Sequence, residues 1–371
     1  MPYSNFTLPE YPCTRDIWDE IAEGDAPIAV YGMGNGADKL FARLERYGVI
    51  PAAVFASDGF VRGHSFRGYK VKTLSEVKAE LGDNVTVLVS FASNRAEVIE
   101  LIRKIDSEND LYIPDMPVAG DEYFDKDFYN AHYGEIVSAY GALADQASKN
   151  AYAALIRYKL TARAEYLFAA YSGIDDIYSL LPESISVCVD AGAYNGDTCR
   201  ELMLYRPSVQ TVYAIEPDAR NYKRLVKYID SAVTDTKIVP IKAAAWSSDT
   251  DGCFIGSGNR NSSVSSTASH ENRREEVALL RIDSIGAERI DYIKYDVEGA
   301  ELEALRGSYA TVRRDKPALL VSVYHRSEDI FSLVNYLRRE HPEYSLYMRR
   351  TLCFPAWETA VIAVLEKDRK V

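Results

Sequence analysis

The sequence predicts an α/β protein with two sheet-bearing parts joined by helices, the second a doubly wound parallel sheet closed by an antiparallel hairpin. Three observations carry this expectation. Short apolar runs alternate with helix-period segments from Pro27 to about Pro117, and again from Ser186 onward. Between Asp121 and Leu181 strand signals vanish and apolar residues recur at helical intervals. The last two strand-like runs, YSLYMRR and ETAVIAVLEK, are separated only by Thr351 to Trp357, a link far too short for a crossover helix, so they should pair antiparallel.

The first part starts with the apolar run Pro27 to Tyr31, a glycine turn (Gly32, Gly34, Gly36) and a helix from Ala37 to Tyr47 carrying Leu40, Phe41 and Leu44 on one face. Strands follow at Ala52 to Phe55 and Val85 to Phe91, with helices at Leu74 to Leu81 and Ala96 to Ile105. This reads as a small Rossmann-like unit over residues 1–120, with fewer strands than a full dinucleotide fold. Residues 121–185 read as a helical connector that packs on one or both sheets, through positions such as Leu143, Ala147, Tyr152, Ile156 and Leu160. In residues 186–371 the strands are SVCVDAG, TVYAIEP, KIVPIKAAAW, VALLRID, YIKYDVEG, ALLVSVYH and the closing pair. Helices are expected at Thr198 to Tyr205, Ala219 to Ile229, Ala300 to Leu305 and Asp329 to Arg339.

Bulk properties narrow the function. The 371-residue chain has a formal charge of −12 and no long run of Lys or Arg, so nucleic acid and anionic membrane surfaces are poor partners. No stretch approaches the roughly 20 apolar residues of a membrane span. The five cysteines form no CxxC pair, and the N-terminus lacks the basic start and apolar core of a secretory signal. A cytoplasmic protein is expected, with the oligomeric state left open.

The chemistry concentrates in DAGAYNGDT, Asp190 to Thr198, between an apolar strand and a helix, where open α/β sheets bind ligands. Gly192 and Gly196 permit a tight turn and close approach of a ligand. Their spacing is GxxxG, whereas a dinucleotide pyrophosphate calls for GxGxxG. S-adenosyl-L-methionine carries no phosphate, and its positive sulfonium and amino groups favour nearby carboxylates. Asp190 is placed to receive the methionine amino group, directly or through water. The loop residues Ala193, Tyr194, Asn195 and Thr198 complete the turn around the cofactor. Glu216, with Pro217 behind it in IEPD, ends the next strand and can accept both ribose hydroxyls. Adenine is expected over the end of the third strand, near Ala244 and Trp246; the Trp246 ring either flanks it or fills the core.

With DYIKYDVEGAELEALRG (Asp291 to Gly307), KPALLVSVYHRSEDI (Lys316 to Ile330) and WETAVIAV (Trp357 to Val364), the chain from about Ser186 onward resembles an FkbM-type methyltransferase. The resemblance implies a class I methyltransferase sheet, S-adenosyl-L-methionine as cofactor, and O-methylation of a hydroxyl on a sugar, glycan or natural product. It implies nothing about the N-terminal unit.

Methyl transfer is an in-line displacement, which an enzyme accelerates mainly by alignment. Asp296 and Glu298 are expected at the end of the fourth strand of this part and His325 at the end of the fifth, beside the methyl group, with His325 or a carboxylate as proton acceptor. Each has a plainer reading: Asp296 as a hydrogen-bond acceptor, Glu298 as a cap on the helix from Ala300, His325 as a structural histidine. An Asp, Glu and His trio can also hold a divalent ion, but no motif of defined ligand spacing assigns a metal. Lys294 fits a packed, paired lysine as well as a functional one. The polar run Ser257 to Ser266 is either a substrate loop or a solvated hairpin. Two other functions stay open: an NAD-linked oxidoreductase using Gly32 to Gly36, and a non-catalytic nucleotide- or sugar-binding protein.

Overall fold

The computed structural model describes residues 6–61, 63–255, 263–264 and 274–366. A six-stranded sheet comes first, made of β1 (Ile28–Tyr31), β2 (Ala53–Phe55), β3 (Ser65–Phe66), β4 (Tyr69–Lys72), β5 (Thr86–Val89) and β6 (Leu111–Tyr112). Its spatial order is β3-β4-β2-β1-β5-β6, parallel except for the β3–β4 pair. The sequence leads one to expect three of these strands. The extra ones are two to four residues long, too short for a two-residue period to register.

Alternation along each strand serves two faces. Val30, Val54 and Leu88 pack with Leu40 and Leu44 of α2 (Asn35–Arg46) and with Ile17 and Trp18 of α1 (Ile17–Glu23). Ala29, Phe55, Val87 and Val89 face the other way, onto Val77 of α3 (Leu74–Leu81) and Ile99 and Ile102 of α4 (Ala96–Glu108).

Five helices follow: α5 (Lys126–Ala131), α6 (Tyr133–Ala142), α7 (Gln146–Thr161), α8 (Ala164–Ala169) and α9 (Ile174–Leu180). The Asp145 side chain caps α7 by accepting the Ser148 N–H. Every residue from Asn150 to Ile156 is buried, so α7 presents apolar surface all round rather than one stripe. Its partners lie on both sides. Tyr158 donates to the Ile113 carbonyl at 2.7 Å, just past β6, and Lys159 pairs with Asp115. On the other side Met348 N–H donates to Ser148 Oγ at 2.9 Å, and Arg349 pairs with Asp145 at 2.8 Å. One apolar cluster accordingly runs from Ala29 and Val87 through Tyr152 and Leu155 to Leu319 and Val361.

The second large sheet has seven strands: β7 (Val187–Ala191), β8 (Thr211–Ile215) and β9 (Lys237–Ile241), then, past an inserted small sheet, β14 (Tyr292–Tyr295), β15 (Ala318–Ser322), β16 (Ser345–Arg350) and β17 (Thr359–Val364). The inserted sheet contains β10 (Ala244–Ala245), β11 (Asp251–Ile255), β12 (Ser263–Val264) and β13 (Arg274–Leu280), in order β10-β13-β11-β12. The run KIVPIKAAAW therefore splits between two sheets instead of forming one strand. Pro240 sits in β9, an edge strand, where its missing N–H costs least. The polar run 257–266 lies outside the described residues apart from β12.

The seven-stranded order is β16-β17-β15-β14-β7-β8-β9, parallel except where β17 runs against both β15 and β16. All six residues of β17 are buried, because it is an interior strand in a sheet covered on both faces. Helices α10 (Asp197–Tyr205), α11 (Ala219–Ser231), α12 (Glu301–Arg306), α13 (Tyr309–Asp315) and α14 (Asp329–Glu340) belong to this part, and α13 is one the sequence pattern does not announce. The strand order reverses at β7, with β8 and β9 added on one side and β14 and β15 on the other, which opens a crevice outside the carboxyl ends of β7 and β14. Among the described residues, no helix is long and apolar enough to cross a membrane.

Candidate functional site

A cavity of about 890 Å³ fills this crevice, large enough for a cofactor and part of a second molecule. Its wall begins at the turn after β7. Gly192 has φ +91°, and a Cβ there would stand 1.8 Å from the Asp296 carbonyl oxygen. Gly196 has φ +87°, and its Cβ would stand 2.3 Å from the Tyr228 ring of α11. Both glycines thus let protein pack on protein. Gly192 also lines the cavity, as expected of a residue that a ligand approaches, whereas Gly196 does not.

Tyr194, Thr198, Glu216, Pro217 and Ala244 also line the cavity. Glu216 directly follows β8, with each carboxylate oxygen taking one backbone N–H, from Tyr194 at 2.9 Å and from Asp218 at 2.8 Å. Burial outweighs these donors and pushes its carboxyl up to about 7. The remaining loop residues stand behind the wall. Ala193 and Gly196 are buried, and Asn195 accepts the Asp197 N–H at 3.2 Å. Trp246 is not on the cavity; its N–H donates to Leu280 at 2.9 Å and its carbonyl packs where a Gly307 Cβ would be.

Asp190 does not line this cavity but a smaller one of about 140 Å³ beside it, whose lining shares Thr198, Glu201 and Asp296 with the large one. It accepts Thr198 Oγ1–H at 2.5 Å and Cys199 Sγ–H at 3.2 Å, and lies 3.6 Å from Lys294 Nζ. Lys294 bridges to Asp296 at 3.0 Å, so it is a packed, paired lysine. Burial would lower its pKa, but the two carboxylates raise it instead. Asp296 feels the converse: burial favours its neutral form, yet Lys294 and His325 hold the carboxyl well below the usual range. It lines the cavity and takes the Tyr324 hydroxyl at 3.2 Å.

Strand β15 stops at Ser322, so His325 lies three residues beyond the strand end rather than on it. It is 1 % exposed and does not line the cavity. Nδ1 stands 2.8 Å from Glu301 Oε1, and Nε2 stands 3.5 Å from Asp296 Oδ1 and 3.6 Å from Glu298 Oε2. Burial works against a charged imidazole, but Glu301, Glu298 and Asp296 together raise its pKa to about 10. The ring is thus enclosed by three carboxylates behind the cavity wall, whereas the sequence placed it at a strand end as the acceptor of the hydroxyl proton.

Glu298 lines the cavity from a residue with φ +54°, followed by Gly299 at φ +95°. That turn is tied down by Glu301, whose Oε1 accepts the Val297 N–H at 2.8 Å. Glu301 therefore does the work expected of Glu298 at the helix start, and sequence reasoning misses it. Its signal was a carboxylate in the first turn of α12, otherwise indistinguishable from a solvated cap. The aromatics Tyr324 and Trp357, both on the cavity with ring centroids 6.2 Å apart, were missed as well.

The N-terminal part reaches this site. Asn94 and Val118 line the cavity, and the Val118 and Ala119 N–H groups both donate to the His325 carbonyl, at 3.0 and 2.9 Å. A Gly299 Cβ would stand 2.5 Å from Ala119 Cβ.

Residues 190–350 match the family model described as the methyltransferase FkbM domain. The chain carries an FkbM methyltransferase domain. A crystal structure of methyltransferase FkbM from Methylobacillus flagellatus KT superposes with a TM-score of 0.64 at 19% identity, covering 96% of this chain and 94% of that one. The shared fold thus includes the N-terminal sheet and the helices. Precorrin-6y C5,15-methyltransferase from Geobacter metallireducens GS-15 covers 51% of this chain and 85% of its own, at 10% identity and TM-score 0.33. Fibrillarin from Aeropyrum pernix, solved with natively bound S-adenosyl-L-methionine, covers 49% and 67%, at 14% identity and TM-score 0.31. A search of the curated proteins finds no matching sequence.

In the methyltransferase domain the seven-stranded sheet carries the cavity, and the glycine turn of the N-terminal part is accounted for by packing. A Cβ at Gly32 would stand 2.5 Å from Ser90 Oγ, and one at Gly36 would stand 2.1 Å from the Ser90 carbonyl oxygen. The NAD-linked reading finds no support in the family or the fold.

Proposed function

We propose that this methyltransferase uses S-adenosyl-L-methionine to O-methylate a hydroxyl of a sugar, glycan or sugar-bearing natural product. The observation that carries the cofactor reading is the charge of the cavity wall. Asp197, Glu201, Glu216, Asp296, Glu298 and Glu358 all line it. Asp197 sits in the first turn of α10, where a pyrophosphate would otherwise dock, and accepts the Thr198 N–H at 2.9 Å. Such a wall repels a dinucleotide and attracts a sulfonium and an ammonium group. Glu216 suits the ribose hydroxyls, and Ala244 leaves flat space for adenine.

Asp296 and Glu298 face the transferred methyl in this reading and hold the acceptor hydroxyl by hydrogen bonds. The hydroxyl oxygen attacks the methyl carbon, the carbon–sulfur bond breaks, and the sulfonium leaves as a neutral thioether while the hydroxyl proton passes to a carboxylate oxygen. His325 and Glu301 keep those carboxylates in place from behind. Tyr324 and Trp357 offer ring faces that suit the apolar face of a sugar. Asn94 and Val118 give the N-terminal part a role in presenting the acceptor. The buried Cys188 and Cys199, in no disulfide, accord with a reducing compartment such as the cytoplasm.

The test is transfer of a labelled methyl group from S-adenosyl-L-methionine to a panel of mono- and oligosaccharides, with the product examined by NMR. A methyl ether is expected, and Asp296→Asn should lower turnover at least tenfold while cofactor affinity is kept. Methyl transfer to nitrogen or carbon, or full turnover in Asp296→Asn, would refute this assignment.

A further inference from the structure

The buried ring of His325 points its Nε2 at two carboxylates without bonding to either. The side chain is 1 % exposed, and Nε2 makes no hydrogen bond. Its distances of 3.5 Å to Asp296 Oδ1 and 3.6 Å to Glu298 Oε2 are too long for hydrogen bonds. They are close to the separation of two ligands on one ion, about 3–3.5 Å when each bond is about 2.1 Å.

We propose that His325 Nε2, Asp296 and Glu298 form a binding site for a divalent first-row transition ion at the floor of the cavity.

The surroundings are those of a metal-binding histidine. Glu301 stands on the opposite ring nitrogen at 2.8 Å, the carboxylate that fixes the ring and its tautomer so that Nε2 faces the ion. Tyr324 donates to Asp296 Oδ1 and so orients a second ligand. The His325 carbonyl is pinned by two N–H groups of the N-terminal part, which leaves the ring little freedom. An imidazole among the donors favours manganese, iron, cobalt, nickel or zinc over magnesium or calcium. Asp296 and Glu298 line the cavity, so the ion's remaining positions open onto it. There it would bind the acceptor hydroxyl and lower that group's pKa, as bound divalent ions do for water. This catalytic role rests on the methyltransferase reading above; binding of the ion does not.

The experiment titrates chelator-treated, full-length protein with Mn²⁺ and follows free Mn²⁺ by electron paramagnetic resonance, with and without S-adenosylhomocysteine. One ion per chain is expected. His325→Gln and Asp296→Asn should weaken binding at least tenfold, and Glu301→Gln about 10–100-fold. Glu298→Gln, at the more exposed of the two carboxylates, should also weaken it and serves where a buried substitution fails to fold. No binding up to millimolar Mn²⁺, or equal binding in His325→Gln and Glu298→Gln, would overturn the site. If the protein then still binds S-adenosylhomocysteine, the methyltransferase reading stands without the ion. If Mn²⁺ binds but S-adenosylhomocysteine does not, the metal site stands and the cofactor reading falls.

Discussion

The chain contains the same local device twice, a parallel strand followed by a glycine turn and a helix, and it is the second copy that opens onto the large cavity. After β1 the space at the strand ends is filled by rings. Tyr31 stacks on Phe55 at 4.6 Å between centroids, and Phe91 meets Tyr31 edge-on at 4.8 Å. After β7 the corresponding strand-end residues are Ala191 and Ile215, and the residues that follow, Gly192 and Glu216, leave the crevice open and charge its rim. Glycine spacing alone therefore does not mark a ligand site. The size and charge of the residues at the ends of the neighbouring strands decide it.

The largest expected effect separates a packed glycine of one turn from an open glycine of the other by stability. Gly192→Val adds a Cβ that collides with the Asp296 carbonyl at a left-handed φ, and should destabilise the protein by about 3 kcal/mol or more. Gly34→Ala, in the N-terminal turn, meets nothing within 4 Å and has φ −113°, so it should stay within about 0.5 kcal/mol of the parent. Chemical denaturation of both variants measures the contrast, and equal losses would erase the distinction. Lys294→Met leaves Asp190 and Asp296 without their buried cation and should cost about 3 kcal/mol in the same assay. A neutral outcome there would mean that the carboxylates are hydrated or protonated instead.

The fold was legible wherever the pattern was long. The buried parallel strands VCVDA and ALLVS are continuous apolar runs, and the short link before ETAVIAV forced the antiparallel ending. Two-residue strands such as β6 and β10 leave no period to read. At the site, Glu216 was legible from its place at the end of a strand. The partners of Asp190 were not legible: Thr198, Cys199 and Lys294 gather on it, and it lines a smaller cavity beside the large one. His325 was found by residue type, but its enclosure was not legible, because Glu301, Glu298 and Asp296 converge on it from a separate turn. Nothing local in the sequence announces that residues near Ser93 and Val118 dock on this site; that follows from the packing of one part against the other.

A smaller effect sharpens the comparison through pH. The Glu216 carboxyl, pushed up to about 7, is neutral below that value and anionic above it. The anion is the better acceptor for ribose hydroxyls, so affinity for S-adenosylhomocysteine should fall as pH drops from about 8 to about 6, by up to about tenfold. Glu216→Gln should flatten that dependence. A pH dependence that survives the substitution would assign it to another group. Smallest of all, Asp58→Ala, at the matching place after β2, should leave cofactor affinity and stability unchanged within error.

The most direct test of the central claim, that the open crevice after β7 rather than the filled one after β1 holds the cofactor, is isothermal titration of the intact protein with S-adenosylhomocysteine and with NAD. The account predicts one S-adenosylhomocysteine per chain, weakened by about 1–3 kcal/mol in Glu216→Ala, and no heat from NAD. Saturable NAD binding that Glu216→Ala leaves intact, or S-adenosylhomocysteine binding indifferent to that substitution, would contradict it.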